Sequence, residues 1–293
     1  MTGLSNVAEN LNLGKTKLQE TGIETAGLDA ALLMMKAAGL SRTELATKRG
    51  NLLNPEQRLS FWRMINERAA HKPVQYILNT CEFMGLEFYV DERVLIPRPD
   101  TEILAEAVIS HTRHSAGLVN RLDIGTGSGA LAVSAAVYSP ESVVTAVDIC
   151  PDALEVAVVN AEKHGVTDRV KFLCGDLFEP LKTGQEAGQK FDIIMSNPPY
   201  IRENELLPPS VARYEPRKAL FGGKDGLDFY RRIIRDAKKY MNPGAMIFLE
   251  IGYDQRELVC QMLEDCGFTY INTLRDLSGK DRVIQGGFNV CKT

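Results

Sequence analysis

The segment Asn197-Pro198-Pro199-Tyr200 combines rigid hydrogen-bond acceptors with an aromatic ring. Proline fixes φ and has no N–H to donate, so the carbonyls of Asn197 and Pro198 point in defined directions. A carboxamide or aromatic amine nitrogen is a poor nucleophile because its lone pair is delocalised. The Asn197 side-chain oxygen and the Pro198 carbonyl can each accept one N–H and stabilise charge on that nitrogen, while Tyr200 stacks on the planar group. The pattern therefore predicts a substrate site formed by all four residues, with Asn197, Pro198 and Tyr200 as the catalytic ones.

A proline-rich turn after a strand is the plain structural alternative for this segment, and two prolines alone would not exclude it. The segment follows the fourth predicted strand of a nucleoside-binding sheet, with asparagine first and an aromatic residue last. That context favours the functional interpretation. The stretch from Ile201 to Gly226 has little regular pattern, which is typical of a lid or binding loop.

A glycine-rich segment, Gly125 to Ala130, follows one predicted strand and opens a helix. Glycines let the turn close tightly and let a ligand approach the bare backbone at the carboxyl end of a sheet. The next predicted strand ends in Asp148, whose carboxylate can accept hydrogen bonds from ribose hydroxyls. The combination predicts a nucleoside site formed by Gly125, Thr126, Gly127, Ser128, Gly129 and Asp148. It leaves a NAD-type oxidoreductase open, because the loosened dinucleotide fingerprint also fits.

Two further carboxylates favour S-adenosylmethionine over a dinucleotide. Asp123, at the end of the first strand, would repel a pyrophosphate and attract a ligand that carries an ammonium and a sulfonium. Asp176 follows the third strand, where it can accept a hydrogen bond from an adenine amino group. Capping of the next turn is the alternative for both residues, because aspartate often has that role.

Three stretches of the chain differ in their periodicity. Residues 1–78 have apolar positions at three- and four-residue spacing and predict a small bundle of about four helices. Residues 79–99 are rich in Phe, Tyr and Val around Asp91-Glu92 and predict a linking β-hairpin, from Cys81 to Ile96. In residues 100–293 helices alternate with strands, which predicts an α/β fold with a Rossmann-like doubly wound, mostly parallel sheet. The strands are predicted at 121–124, 143–147, 170–174, 191–196, 245–251, 269–274 and 282–289.

The composition excludes several classes of protein. A net charge of -4 provides no global basic field for nucleic acid, and no apolar run approaches the roughly 20 residues of a membrane span. The N-terminus has no apolar signal core, so a cytoplasmic protein is expected. Six cysteines are scattered without any C-x-x-C pair, which predicts reduced thiols and no metal site.

The residues around these motifs resemble the HemK-type methyltransferases, which modify the glutamine of the Gly-Gly-Gln motif in peptide-chain release factors. The resemblance covers nearly the whole chain. Its most specific part is the run from Ile96 to Glu102. The other matching segments, besides the two motifs, are Lys72 to Ile77, Glu82 to Leu86, Tyr214-Glu215-Pro216, Ala219-Leu220, Gly226-Leu227, Leu249 to Gly252 and Asp276 to Arg282.

The resemblance implies methyl transfer from S-adenosylmethionine, with S-adenosylhomocysteine as product, to that glutamine. Release factors would be the partners, docked in part by residues 1–78, and residues 100–293 would hold the cofactor. Carried over by position, Leu177 and Asn197 join the cofactor contacts. Some relatives have tryptophan where Leu177 stands, so apolar packing would replace adenine stacking. A DNA adenine methyltransferase is the enzymatic alternative, disfavoured by the acidic balance, and a non-catalytic nucleoside sensor is the other.

Overall fold

The protein, described by a computed structural model over residues 6–112 and 117–288, divides into two compact units. The helical unit contains the chain up to Thr80 together with Leu207–Tyr214. The α/β unit contains Cys81–Leu206 and the chain from Glu215 onward. In neither unit do the described residues form a helix long and apolar enough to cross a membrane.

The helical unit begins with helices whose first turns are capped by side chains. Asn6 and Glu9 form a reciprocal capping box on the first helix, and Asn54 with Gln57 does the same on the fourth, where Pro55 occupies the first turn. The inner faces of the first, second and fourth helices meet in a core that includes Leu18, Leu33 and Phe61. The helices before Thr80 are α1 (Val7–Glu20), α2 (Ala26–Ala38), α3 (Arg42–Thr47), α4 (Pro55–Ala69) and α5 (Val74–Leu78).

The α/β unit opens with a hairpin that is shorter than predicted. Strands β1 (Cys81–Phe83) and β2 (Leu86–Phe88) pair antiparallel around Met84-Gly85, both with positive φ, as a tight two-residue hairpin turn requires. The pattern around Asp91-Glu92 is therefore not the hairpin turn, which lies in the segment Glu82 to Leu86 that the family resemblance includes. Asp91 instead accepts hydrogen bonds from the backbone N–H and the guanidinium of Arg93.

A seven-stranded sheet dominates the α/β unit, in the order β5-β4-β3-β6-β7-β9-β8. All neighbouring pairs are parallel except those involving β9, which runs antiparallel to β7 and β8. The strands are β3 (Val119–Ile124), β4 (Ser142–Asp148), β5 (Val170–Cys174), β6 (Phe191–Ser196), β7 (Met241–Glu250), β8 (Thr269–Arg275) and β9 (Asp281–Gly287). The helices are α6 (Thr101–Thr112), α7 (Ala130–Tyr138), α8 (Pro151–Lys163), α9 (Pro209–Tyr214, in the helical unit), α10 (Asp228–Ala237) and α11 (Arg256–Asp265).

The central strands of this sheet are buried on both faces, as the doubly wound prediction requires. Along β6, Ile193 and Met195 enter the apolar core shared with α6 and α7, whereas Ile194 enters the core shared with α10 and α11. Alternate residues of one strand therefore belong to different cores. The predicted fold class is confirmed.

The predicted strands differ from the observed ones at their ends. Strand β7 starts at Met241 instead of residue 245, because Asn242-Pro243-Gly244, a sequence typical of a turn, lies within the strand where its pairing with β6 shifts register. The last strand was predicted to reach Asn289, which lies outside the described residues, and its described part ends at Gly287.

Five of the six cysteines are described and are free thiols, and Cys291 lies outside the described part.

Candidate active site

The parallel strands β3, β4, β5 and β6 end at one edge of the sheet, beside a cavity of about 470 Å³. Ligands of doubly wound folds bind at such an edge, where loops diverge from the strand ends. Glycine backbone and Asp148 line one part of the cavity, and Asn197-Pro198-Pro199 lines another. The two predicted motifs therefore face the same space.

The glycine loop leaves room where a nucleoside would lie. Gly125, Gly127 and Gly129 all have positive φ, and a Cβ at position 125 or 127 would meet nothing within 4 Å. A Cβ at Gly129 would instead lie 3.1 Å from the Ala157 Cβ, so this glycine allows α7 to start close against α8. Thr126 and Ser128 are buried. The first two glycines shape the cavity, and the third shapes the scaffold.

Asp148 connects this loop to the end of β4. Its two carboxylate oxygens accept hydrogen bonds from the backbone N–H groups of Gly127 and Cys150, each at 2.9 Å. Burial nevertheless raises the pKa of this carboxyl, because the backbone hydrogen bonds from Cys150, Gly127 and Ile149 only partly offset its loss of solvent. The carboxylate keeps a lone pair for a further donor such as a ribose hydroxyl.

The other predicted cofactor carboxylates lie in different surroundings. Asp123 is fully buried beneath the glycine loop, where it accepts a hydrogen bond from the Thr126 hydroxyl at 2.7 Å, and burial raises its pKa to about 7. Asp176 lines the cavity and forms an ion pair with Arg232 on α10, a partner that the sequence analysis did not identify. Leu177 lines the cavity beside it with a positive φ of 52°, which is uncommon for a branched residue.

Asn197 sits directly after β6 with its carboxamide anchored from behind. Its Nδ2 donates to the Thr101 hydroxyl at 3.0 Å, so Oδ1 is the atom left to accept a hydrogen bond from a substrate. The Tyr200 ring packs against the core on the α10 side of the sheet, and its hydroxyl donates to Glu250 at 3.4 Å. The motif thus presents acceptors at one end and a fixed ring at the other.

The backbone of this motif packs against a second loop that contains glycines, residues 222–226, in a stretch for which the sequence predicts no regular structure. A Cβ at Gly222 would lie 2.4 Å from the Pro199 carbonyl oxygen, and one at Gly226 would lie 2.2 Å from the Tyr200 carbonyl oxygen. The Gln255 side chain, almost fully buried, donates to the carbonyls of Tyr200 and Gly226. Residues 222–226 and Gln255 therefore set the position of the catalytic turn.

The run from Ile96 to Glu102 supplies four polar contacts to distant parts of the α/β unit. Arg98 pairs with the buried Glu215 at 2.6 Å, and Asp100 with Arg282 at 3.0 Å. Thr101 accepts the bond from Asn197, and the Glu102 carboxylate accepts one from the Met84 backbone N–H. Each contact reaches a segment that the resemblance also singled out.

Comparison with known proteins gives the same assignment for both units. A family model described as the PrmC N-terminal domain matches residues 9–78, and a methyltransferase domain model matches residues 117–278. Curated release factor glutamine methyltransferases from Geobacter sulfurreducens and Clostridium acetobutylicum are 44% and 43% identical to the chain. These alignments cover 92% and 91% of the chain and 92% and 93% of those proteins.

The chain belongs to the release factor glutamine methyltransferase family. The resemblance seen in the sequence motifs is thereby confirmed. A solved methyltransferase structure from Pyrococcus furiosus, 20% identical with a TM-score of 0.52, covers 77% of this chain and 99% of its own, and supports the fold alone.

In this member of the release factor glutamine methyltransferase family, the predicted site residues separate into two groups. One group lines the cavity and consists of Gly125, Gly127, Asp148, Asp176, Leu177, Asn197, Pro198 and Pro199. The other group, which is not part of the lining, consists of Asp123, Thr126, Ser128, Gly129 and Tyr200. The binding and catalytic roles of both groups stay predictions. The positioning residues Gln255 and Gly222 escaped prediction because they contact backbone atoms, which leaves no motif in the sequence.

Proposed function

We propose that this protein transfers a methyl group from S-adenosylmethionine to the side-chain amide nitrogen of the glutamine in the Gly-Gly-Gln motif of peptide-chain release factors, in the cytoplasm. The observation that carries the proposal is the anchored carboxamide of Asn197. With Nδ2 bound to Thr101, its Oδ1 remains as an acceptor on the cavity that the glycine loop lines. Family membership supports the choice of substrate.

The residues of the cavity suit the adenosyl part of that cofactor. Open space over Gly125 and Gly127 accommodates the ligand beside bare backbone, and Asp148 offers carboxylate lone pairs to ribose hydroxyls. Val147, Ile149 and Leu177 contribute apolar lining for a base. Bound there, S-adenosylmethionine supplies a methyl carbon that bonds to the amide nitrogen as the C–S bond breaks and its electron pair stays on sulfur.

The chain's own residues hold the glutamine amide. The Asn197 Oδ1 and the Pro198 carbonyl each accept one N–H, which aligns the nitrogen lone pair and stabilises the positive charge that develops on it. The Tyr200 ring stacks on the planar amide. The methylated nitrogen then releases one proton to water, so no strong base is required.

We expect Asp148→Ala to weaken S-adenosylmethionine binding by up to about 3 kcal/mol, because a hydrogen bond to a charged acceptor contributes about 1.5–3 kcal/mol. Equilibrium titration of the cofactor measures this change. Asp152→Ala is the matched control, since it removes the same charge from an exposed position four residues along the chain. Equal affinities for the two variants would show that Asp148 does not bind the ribose.

The helical unit is proposed to dock the release factor. One glutamine offers little binding surface, so selectivity for it requires affinity from a remote contact. The residues that line the cavity belong to the α/β unit, whereas the helical unit exposes apolar side chains at Leu13, Leu28, Leu52 and Leu59. Deleting residues before 78 would also strip α9 of its own unit, where Tyr214 donates a hydrogen bond to the Ala70 carbonyl, so surface substitutions are the cleaner test.

We expect the double variant Leu28→Glu, Leu59→Glu to lower kcat/KM for the intact release factor about tenfold, mainly through KM, because a charge then replaces an apolar contact. Its kcat/KM for a short Gly-Gly-Gln peptide should not change. Leu118→Glu is the control. Leu118 is similarly exposed, but it lies just before the start of β3, whereas the cavity is at the other end of that strand. Wild-type kinetics for the double variant on intact release factor would place the docking surface elsewhere.

The substrate assignment is tested by incubating the enzyme with labelled S-adenosylmethionine and either a release factor or duplex DNA. Label on the glutamine of the Gly-Gly-Gln motif, and its absence from a factor with that glutamine replaced, is the expected result. Label on adenine together with salt-dependent duplex binding would replace the release factor by DNA.

A further inference from the structure

The Asn197 carboxamide is held by a residue outside its own motif. Thr101, the first residue of α6 and only 5% exposed, accepts the bond from Asn197 Nδ2. A carboxamide rotated by half a turn would present its NH₂ group to the substrate, and two donors would then oppose each other. The group that accepts the Thr101 hydroxyl proton therefore determines which atom of the Asn197 carboxamide faces the substrate.

Glu250, at the end of β7, lies behind Thr101. Its side chain is 1% exposed, and its carboxyl is hydrogen-bonded by the Thr101 hydroxyl and by the Tyr200 hydroxyl. A hydroxyl has one proton, so Thr101 can donate it to Glu250 and still accept from Asn197. The same carboxylate thereby governs the direction of the Asn197 carboxamide and anchors the ring of Tyr200.

We propose that Thr101 and Glu250 are positioning residues for methyl transfer, orienting Asn197 and Tyr200 toward the substrate amide without touching it. This inference rests on the proposed function. It assigns the buried carboxyl the role of accepting from both hydroxyls, and an ionised carboxylate accepts such bonds more strongly than a neutral acid.

The surroundings of Glu250 place its titration near neutral pH. Burial raises its pKa to about 7, the hydroxyls of Thr101 and Tyr200 and the charge of Arg282 lower it, and Asp100 raises it. The buried Tyr230 donates its hydroxyl to the Glu250 backbone carbonyl and stays neutral, since burial raises its own pKa. Below that pKa the carboxyl is neutral and accepts the bonds from Thr101 and Tyr200 more weakly, because charge-assisted hydrogen bonds are the stronger kind.

The first test replaces Thr101. We expect Thr101→Val to lower the single-turnover rate at saturating cofactor about tenfold, by analogy with groups that orient metal ligands. Thr101→Ser, which restores the hydroxyl, should recover most of that rate. The Kd for S-adenosylmethionine and the KM for release factor should stay within about twofold in both variants. Equal losses for Val and Ser, or a normal rate for Val, would overturn the inference.

The second test uses Glu250→Gln, which cannot ionise. The wild-type rate should rise with pH through about 7, and the variant should be slow with a flat profile. The stability should change in the opposite direction. A raised pKa means that the folded state keeps a proton that the unfolded chain releases, so stability falls as pH increases from 4.5 to about 7. Glu250→Gln should therefore melt no lower than wild type at pH 8, whereas a purely structural role predicts a lower Tm.

The two hypotheses fail in different ways. If the wild-type enzyme leaves the release factor unlabelled, the proposed function is wrong and this inference with it. If the wild type labels the factor while Thr101→Val and Glu250→Gln match its rate and pH profile, only the positioning role is wrong.

Discussion

Asn197→Ala should lower the single-turnover rate of glutamine methylation at least about a hundredfold, the loss expected when one preorganised hydrogen-bonding group is removed from an active site. The lost atom is the acceptor aligned with the reacting nitrogen. Cofactor affinity should change far less, because Asp148 and the open backbone over Gly125 and Gly127 remain. Rapid mixing of release factor with enzyme saturated by labelled cofactor measures the rate.

Two variants of Tyr200 provide the comparison for this result. Tyr200→Phe keeps the ring and loses only its hydrogen bond to Glu250, so its loss should be much smaller than that of Tyr200→Ala, which removes the stacking face and should approach the Asn197→Ala loss. An Asn197→Ala enzyme with a near-normal rate would show that the backbone carbonyls alone position the amide.

Gly222→Ala should lower the single-turnover rate about a hundredfold by displacing the catalytic turn, although Gly222 itself is not proposed to contact the substrate. The new Cβ would lie 2.4 Å from the Pro199 carbonyl oxygen and within 3 Å of the Gly226 carbonyl, so the catalytic turn must move. A displacement near 1 Å in an active site can cost about a hundredfold in rate. Overpacking of this kind also costs about 1–3 kcal/mol of stability. Single-turnover rates and thermal melting measure the two effects.

Gly50→Ala is the matched control for this substitution. Neither glycine has a positive φ, and a Cβ at position 50 would meet nothing within 4 Å, so the two variants differ in the contact with the catalytic turn. A Gly222→Ala enzyme as fast and as stable as Gly50→Ala would mean that the turn tolerates displacement.

The α/β unit could be predicted from its sequence because its signals are local. Gly125 to Ala130 after a buried strand, and Asp148 at the end of the next, specify both the topology and the edge where ligands bind. The helical unit was similarly accessible through apolar spacing. The hairpin turn was misplaced because Asp91-Glu92 resembles a turn, whereas Met84-Gly85 adopts the positive φ values that the turn needs.

The support of the site could not be predicted, because it consists of contacts between residues far apart in the chain. Gln255 donates hydrogen bonds to the carbonyls of Tyr200 and Gly226, and Thr101 accepts one from Asn197. Nothing in the spacing of such residues indicates the partner. The membership of Leu207–Tyr214 in the helical unit was equally invisible, since its neighbours in sequence belong to the other unit.

The contacts of residues 98–102 have a consequence for biosynthesis. Arg98 and Glu215 are 117 residues apart, and Thr101 and Asn197 are 96 apart. The partner of Asp100 is Arg282, which lies on the last described strand. Closing such long loops is slow, so these pairs are expected to form late in folding. A chain still attached to the ribosome, with Arg282 in the exit tunnel, would have its glycine loop but an incompletely braced Asn197. Methylation competence should then appear only after the segment that contains Arg282 has folded onto the rest of the α/β unit.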